Sequence, residues 1–342
     1  MGFQPGGTKI LTCAQRLATG IMRMTRFVRY AWIVLGFNVL VILWGAFVRA
    51  TGSGAGCGSH WPLCNGAVLP RDPRIETIIE FSHRLSSGLA FIFVFILFVQ
   101  AMRLYQKGSP VRLAASLSFI FMITEALIGA GLVLFKWVAQ DASLGRGISI
   151  VVHLINTFIL LGCLTLTGWW AEGGGKPVFT GRGMLSWLIL AGLLGTVFLG
   201  ISGALTALGD TLFPASDLAE AIRQDFSPTA HLLIRLRLLH PTLAMIVGGY
   251  LIAFAGYTRL RSGSQPASRW SRGLTILVIL QLGAGIVNVL LLAPVWLQLV
   301  HLLLADAVWV FLVLMGAALL SSDREVETWR APAPVKPLGQ IE

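Results

Sequence analysis

The sequence predicts an all-α integral membrane protein, with eight transmembrane helices arranged as two repeat-related four-helix bundles. Three observations carry that prediction. Of 342 residues, 56% are apolar and 12% charged, with a mean hydropathy of +0.78, whereas a soluble domain carries about 25% charged residues. Eight stretches are long and apolar enough to span a bilayer, which takes about 20 residues each. Fragments of the first four stretches recur in the last four, in the same order. Long Leu, Val and Ile runs and only four cysteines exclude collagen-like, disordered and disulfide-scaffold chains.

In order, the spans fall near 30–48, 77–99, 112–134, 148–169, 184–206, 232–256, 272–292 and 296–319, the last two separated only by Ala293-Pro294-Val295. They divide the chain into a cytoplasmic N-terminal segment (1–29), an N-terminal four-helix half (30–170), a cytoplasmic linker (171–183), a C-terminal four-helix half (184–320) and a cytoplasmic tail (321–342). The net charge of +11, from 26 Lys/Arg against 15 Asp/Glu, does not mark a nucleic-acid partner. The basic residues form no single patch; they sit between the spans. With the N-terminus inside, 17 of the 26 fall on the cytoplasmic side, including Arg26, Arg29, Arg103, Arg182 and Arg259. The positive-inside rule then places both termini in the cytoplasm of a multi-pass inner-membrane protein surrounded by lipid. The basic, acid-free first thirty residues also fit an organelle transit peptide, which would mean a mitochondrial inner membrane. A cytoplasmic anchor explains the same charges and is the reading adopted.

The repeat is carried by short fragments. Leu127-Ile-Gly-Ala-Gly-Leu-Val recurs as Gln281-Leu-Gly-Ala-Gly-Ile-Val, Val152-His153-Leu154 as Val300-His301-Leu302, and His83 opens span 2 as His240 opens span 6. The offsets of 154, 148 and 157 residues let loop lengths drift while the order holds. Each of the four histidines is expected some 5–8 residues into a helix running inward, ~7–12 Å below the outer edge of the hydrocarbon. Ionisable residues at that depth face the bundle interior and serve a function. A single membrane histidine is adequately explained as interhelical hydrogen-bonding glue, worth about 0.6 kcal/mol. Four at one depth on alternate helices are not. Haem iron takes an axial ligand on each face of a flat macrocycle, and facing helices supply such pairs. The repeat pairs His83 with His153 and His240 with His301. A proton relay wants acidic neighbours, and only His83 has one close in sequence; a zinc site wants four grouped ligands. His231, nine residues before His240, points to another face, and His60 belongs to the first outer loop.

That loop runs from Val48-Arg49-Ala50-Thr51-Gly52-Ser53-Gly54-Ala55-Gly56-Cys57 into His60-Trp61-Pro62-Leu63-Cys64-Asn65-Gly66. Cys57 and Cys64 are close in sequence and face the oxidising side, where a disulfide persists. Ligation of a metal by Cys57, His60 and Cys64 is the other reading, although three ligands leave a structural site incomplete. Cys13 and Cys163 lie inside or within the bilayer and are expected to be unpaired.

Together, the R-x-T-G-S-G-x-G-C…W-P-L-C-x-G loop, Glu80-Phe81-Ser82-His83-Arg84 and the later histidines resemble the haem A synthase family, over residues from about 30 to 320. The resemblance implies an enzyme of terminal-oxidase assembly that oxidises the C8 methyl of haem O to a formyl group by successive hydroxylations. It implies His83 and His153 as axial ligands of the substrate haem, His240 and His301 as ligands of a resident cofactor haem b, and Glu80 as the catalytic carboxylate beside the Cys57/Cys64 pair. It also implies haem O as substrate, with a haem O synthase and oxidase assembly factors as partners; an oligomer is compatible with it. Glu80 precedes His83 by three positions, so both project from one helix face about 5–6 Å apart at Cβ. The plainer reading of Glu80 is an ion pair with Arg84, four residues on.

Three features depart from the family pattern. Residues 207–231 contain no second cysteine pair, Pro241 follows His240 where an arginine is usual, and Gly58-Ser59-His60 replaces the commoner Pro-Asp before Trp61. Arg49, Arg84, Arg235 and Arg237 lie near the outer boundary where haem propionates would emerge, and Arg–carboxylate forks suit that contact; Arg49, Arg84 and Arg237 are the candidates, with interfacial snorkelling as the alternative. Glu125 and Asp306 are carboxylates placed in the bilayer, costly unless neutral or paired, and Asn156 shares the helix face of His153; helix–helix hydrogen bonding is the expectation for all three. The residues alone reach a di-haem membrane oxidoreductase. A di-haem b electron carrier and a haem transporter or chaperone are the alternatives, and Glu80 and the asymmetry between the halves favour the enzyme.

Overall fold

The computed structural model describes residues 13–261 and 265–321, with side chains from Thr25 onward. The expectations for most of the N-terminal segment, for the tail beyond Ser321 and for the pairing of Cys13 lie outside the described residues. Helices α1 (Cys13–Ala50), α2 (Ile75–Leu104), α3 (Pro110–Leu134) and α4 (Leu144–Ala171) come first. There follow α5 (Gly183–Leu212), two short helices α6 (Leu218–Asp225) and α7 (Leu232–Arg235), then α8 (Leu239–Arg261), α9 (Gln265–Leu290) and α10 (Val295–Leu320). Among the described residues, eight helical stretches are long and apolar enough to cross a membrane, α7 and α8 sharing one of them, Leu232–Leu260. The ends follow local chemistry. Ser109 accepts the Val111 N–H ahead of Pro110, and Ser143 accepts the Arg146 N–H, so each serves as a cap at a position where the helix leaves donors unmet.

Contacts between neighbours close two rings. α1, α2, α3 and α4 pack in a cycle, as do α5, α8, α9 and α10. Hence α2 and α4 stand at opposite corners of the first ring, and α8 and α10 at opposite corners of the second. The rings meet along α4 and α10, flanked by α1 and α5. Half of the most apolar stretch of α4 and of α10 is buried, against 11% for α9 and 17% for α3, so the first two form the central seam and the others turn their apolar faces outward. At the seam Trp309 stacks on Phe158 with ring centroids 4.8 Å apart and donates its Nε1–H to the Phe158 carbonyl. The hydrophobic cluster of Phe27, Leu97, Leu161 and Leu164 includes this tryptophan from the other ring. The connection between α4 and α5 is tied to the end of the last span: Val178 N–H bonds to Leu320 O, and the Arg182 guanidinium bonds to the carbonyls of Leu319 and Ser321.

The sixth span departs from the prediction of one continuous helix over 232–256. α7 ends at Arg235 and a new helix starts at Leu239, which puts His240 at the second position of α8 rather than several residues in. Pro241 explains the break: with no N–H, and a ring that clashes with the carbonyl four residues earlier, it belongs in a first turn. The polar pull is Arg237, which bonds outward to Gly209 O and Phe213 O.

Candidate functional site

The four histidines arrive from opposite corners of the two rings, His83 on α2 and His153 on α4, His240 on α8 and His301 on α10. Each ring lies on a glycine of the adjoining span. A Cβ added at Gly45 of α1 would come within 2.9 Å of His83, at Gly203 of α5 within 2.9 Å of His240, at Gly285 of α9 within 3.2 Å of His301, and at Gly129 of α3 within 4.0 Å of His153. A side chain at position 45 or 203 would displace the imidazole. By sequence fragment the partner of Gly129 is Gly283, yet His301 meets Gly285, because the α9–α10 connection is shorter than the α3–α4 one.

The donor set fits haem. The His240 and His301 ring centroids lie 6.4 Å apart. A metal–imidazole bond of about 2 Å plus about 1 Å from nitrogen to ring centre, doubled across one iron, requires about 6 Å. His83 and His153 come from the opposite corners α2 and α4 of the first ring. The Nδ1 atoms of His83, His153 and His301 are buried without a hydrogen bond among the described residues. Among the described residues no three His, Cys, Asp or Glu side chains cluster as a metal site, so the donors come in pairs, as a haem uses them. His240 Nδ1 lies 2.9 Å from Ser202 Oγ, and His301 Nε2 lies 3.2 Å from Gln281 Nε2, a contact that ligation through that nitrogen would replace. His153 Nδ1 lies 3.5 Å from Glu125 Oε1.

Above the first pair, Cys57 and Cys64 form a disulfide, so the reading of these sulfurs with His60 as metal ligands falls. The clipped loop docks on the start of α2. Cys57 N–H donates to Glu80 Oε2 at 2.8 Å, and the Thr77 hydroxyl and Asn65 amide both donate to Gly56 O. At Gly56 a Cβ would sit 2.4 Å from the Glu76 backbone, so only glycine allows this approach. Glu80 is buried at 3% exposure. Its Oε1 receives the Arg84 Nη2 at 2.5 Å and Nε at 3.1 Å, while Arg84 Nη1 reaches the carbonyls of His60 and Leu63. The Glu80–Arg84 ion pair is therefore present, and it also fastens the disulfide loop to the histidine helix.

The other two arginines are equally engaged. Arg49 donates to Ala207 O, Thr211 Oγ1 and Gln298 Oε1, tying α1 to α5 and α10. Arg237 lies 3.0 Å from Asp210 Oδ1 and 3.7 Å from Asp225 Oδ1. A haem propionate at any of the three would share a guanidinium already bonded to protein. Burial raises the pKa of the Asp225 carboxyl, against the pull of Arg237, whereas hydrogen bonds from Ser216 hold the exposed Glu220 below its usual range. His231 caps α7, its Nδ1 accepting the Leu233 N–H. Within the bilayer Glu125 is bonded to Asn156 and Thr157, as expected of helix–helix contacts. Asp306 differs from expectation: it is 1% exposed and its Oδ2 has no hydrogen-bond partner among the described residues.

Several participants were not singled out from sequence. Ser202, Gly45 and Gly203 carry no distinctive motif, since Gly and Ser are common in membrane helices, while Gly129 and Gly285 lie in the repeated fragments without any sign there that they underlie histidines. Asp210 and Asp225 carried a signal that could have found them: acids between the fifth and sixth apolar stretches, ahead of Arg235 and Arg237 at the start of the sixth.

Residues 28–313 match the family described as cytochrome oxidase assembly protein, COX15-CtaA. The chain is 52% identical over 297 residues to a protoheme IX farnesyltransferase of Thermus thermophilus, covering 86% of this chain and 49% of that protein. It is 40% identical over 142 residues to a heme A synthase of Bacillus mycoides, covering 41% of this chain and 45% of that one. The chain thus spans about half the length of the curated relatives it matches. By the extent of the family match, it belongs to the cytochrome oxidase assembly protein family COX15-CtaA.

Proposed function

We propose that the chain is a haem A synthase of the inner cytoplasmic membrane, oxidising the C8 methyl of haem O to a formyl group by successive hydroxylations. The observation that carries this reading is the placement of Glu80: a buried carboxylate one turn before His83, pinned by Cys57 N–H and Arg84, in a chain with two facing histidine pairs. His83 and His153 hold the substrate haem from opposite corners of the first ring and so fix which edge of the macrocycle meets α2. Each hydroxylation places one water oxygen on the methyl carbon and releases two electrons and two protons, the electrons passing to an external acceptor. Their removal builds positive charge on that carbon. Glu80 stabilises that charge and receives a proton, and the Arg84 fork keeps the carboxylate from swinging away. His240 and His301 hold a resident haem b, which supplies one-electron chemistry when bound.

A pure electron carrier needs no buried carboxylate beside one iron, and a transporter needs no two-sided grip in both halves. Farnesyl transfer, the activity in the name of the longer Thermus relative, wants carboxylates that hold Mg²⁺ against a diphosphate. No such cluster occurs among the described residues, and this chain matches only 49% of that protein; we assign the farnesyl chemistry to its remaining length. A farnesylating haem O synthase is then the partner that supplies the substrate, and oxidase assembly factors receive the product. The test is haem extraction and chromatography from cells producing this chain with a haem O synthase. Haem A is expected; haem O alone would remove the enzyme reading.

A further inference from the structure

The four histidines differ in what stands behind them. Among the described residues, the Nδ1 atoms of His83, His153 and His301 all lack a hydrogen-bond partner, so the difference lies in which groups stand within reach. His240 faces a neutral hydroxyl, Ser202, at 2.9 Å. Only His153, among the described residues, has a carboxylate within ion-pair distance: Glu125 Oε1, 3.5 Å from Nδ1. That carboxylate is itself held. Asn156 Nδ2 lies 2.5 Å from Glu125 Oε2 and Thr157 Oγ1 lies 2.5 Å from Oε1, while Asn156 also donates to Phe121 O on the helix that carries Glu125. Residues 153, 156 and 157 share one face of α4, so the same turn that bears the histidine clamps the acid beside it. Aligning the repeated fragments at their 154-residue offset places Ile279 where Glu125 stands, and Ile279 is an exposed apolar residue of α9. In the contact register, where Gly285 meets His301 as Gly129 meets His153, the matching position is Gln281, a neutral amide 3.2 Å from His301 Nε2; the second half has no carboxylate there among the described residues.

We propose that Glu125 is a positioning residue for His153: it receives the Nδ1–H, fixes the imidazole tautomer and presents Nε2 to the iron of the haem held by α2 and α4. This rests on the reading of His83 and His153 as haem ligands. The present 3.5 Å is longer than a formed N–H···O bond, so the proposal requires this contact to shorten by a few tenths of an ångström. Metal-bound histidines characteristically donate their second N–H to such a group, which orients the ring and makes it a stronger donor. A stronger donor favours ferric over ferrous iron, so the N-terminal haem is held at a lower potential than it would have with a free His153. The two haem sites are thereby made unequal by one carboxylate.

The test uses the full chain loaded with protohaem, and the same chain without haem labelled with ¹⁵N-histidine. In the haem-free protein, His153, assigned by its loss in His153→Ala, is expected as the Nδ1–H tautomer, and Glu125→Gln is expected to weaken that preference. In the loaded protein, Glu125→Gln should raise one of the two haem potentials by about 59 mV, a tenfold change in the ferric-to-ferrous affinity ratio for a one-electron couple, and leave the other unmoved. Thr157→Val, which removes one clamp and keeps the charge, should shift the same haem in the same direction by less, and serves if Glu125→Gln fails to fold. An Nε2–H tautomer in the unaltered protein, or unchanged potentials in a folded Glu125→Gln with His153 still ligating, would overturn this inference alone. Full retention of both haems in His153→Ala would overturn it together with the haem reading of the first half.

Discussion

Above the first histidine pair the chain is clipped by a disulfide with a buried carboxylate beneath it, whereas above the second pair it is held by one arginine between two aspartates. The first arrangement links three things rigidly: the Cys57–Cys64 loop, Glu80 and the helix of His83. The second links α5, α6 and the approach to α8 through Arg237, Asp210 and Asp225, with no reactive group aimed at the histidines. The cysteine pair that the family resemblance would place in the second loop is absent, and these ion pairs stand where it would tie the chain. A fixed carboxylate near one pair and neutral neighbours near the other, Ser202 and Gln281, fit a half that transforms its haem and a half that keeps one.

The largest effect expected on this contrast comes from Glu80→Gln. It keeps size and hydrogen bonding but loses the charge, and should lower haem A output by about 10²–10⁴-fold while the C-terminal haem stays bound; chromatography of extracted haem reads both. Near-normal output would reduce Glu80 to the partner of Arg84. Next, Arg237→Met leaves two partly buried aspartates without their cation and should cost about 3 kcal/mol, seen as a lower thermal midpoint in detergent, with the C-terminal haem lost at a lower temperature than the N-terminal one. Reduction of Cys57–Cys64, or Cys57→Ser with Cys64→Ser, should cost about 2.5 kcal/mol for a loop this short, and it should loosen the N-terminal site first. The smallest effect is a slope in pH. Because burial raises the pKa of Asp225, the folded chain binds that proton more tightly than the unfolded one. The contribution is present at low pH and fades as pH rises through the folded value. Asp225→Asn should flatten stability above about pH 4 by less than about 1 kcal/mol.

Much of this contrast was legible beforehand. Apolar stretches near 20 residues announce membrane helices directly, and histidines placed within such stretches announce side chains turned into the bundle, because charge and polarity are too costly in a bilayer to be scattered. The α7–α8 break was less legible. Leu232–Leu260 is apolar enough to cross a membrane, and Pro241 and Arg237 are the signs that the helix restarts at Leu239. The loop-to-helix latch was half legible: spacing pairs Glu80 with Arg84, but the Cys57 N–H that completes the site comes from 23 residues earlier, and no local pattern encodes that reach. Glu125 beside His153 was hidden for the same reason, since contact between α3 and α4 depends on how the nine residues between them fold.

The central claim is that the two histidine pairs do different work, and the haem content of four single variants tests it most directly. Each of His83, His153, His240 and His301 is replaced by Ala in the full chain, produced with a haem O synthase, and assayed for bound haem b and for haem A formed. Loss of haem b in His240→Ala and His301→Ala, with haem b kept and haem A abolished in His83→Ala and His153→Ala, is the predicted result. Equal loss of haem b from all four variants would contradict it.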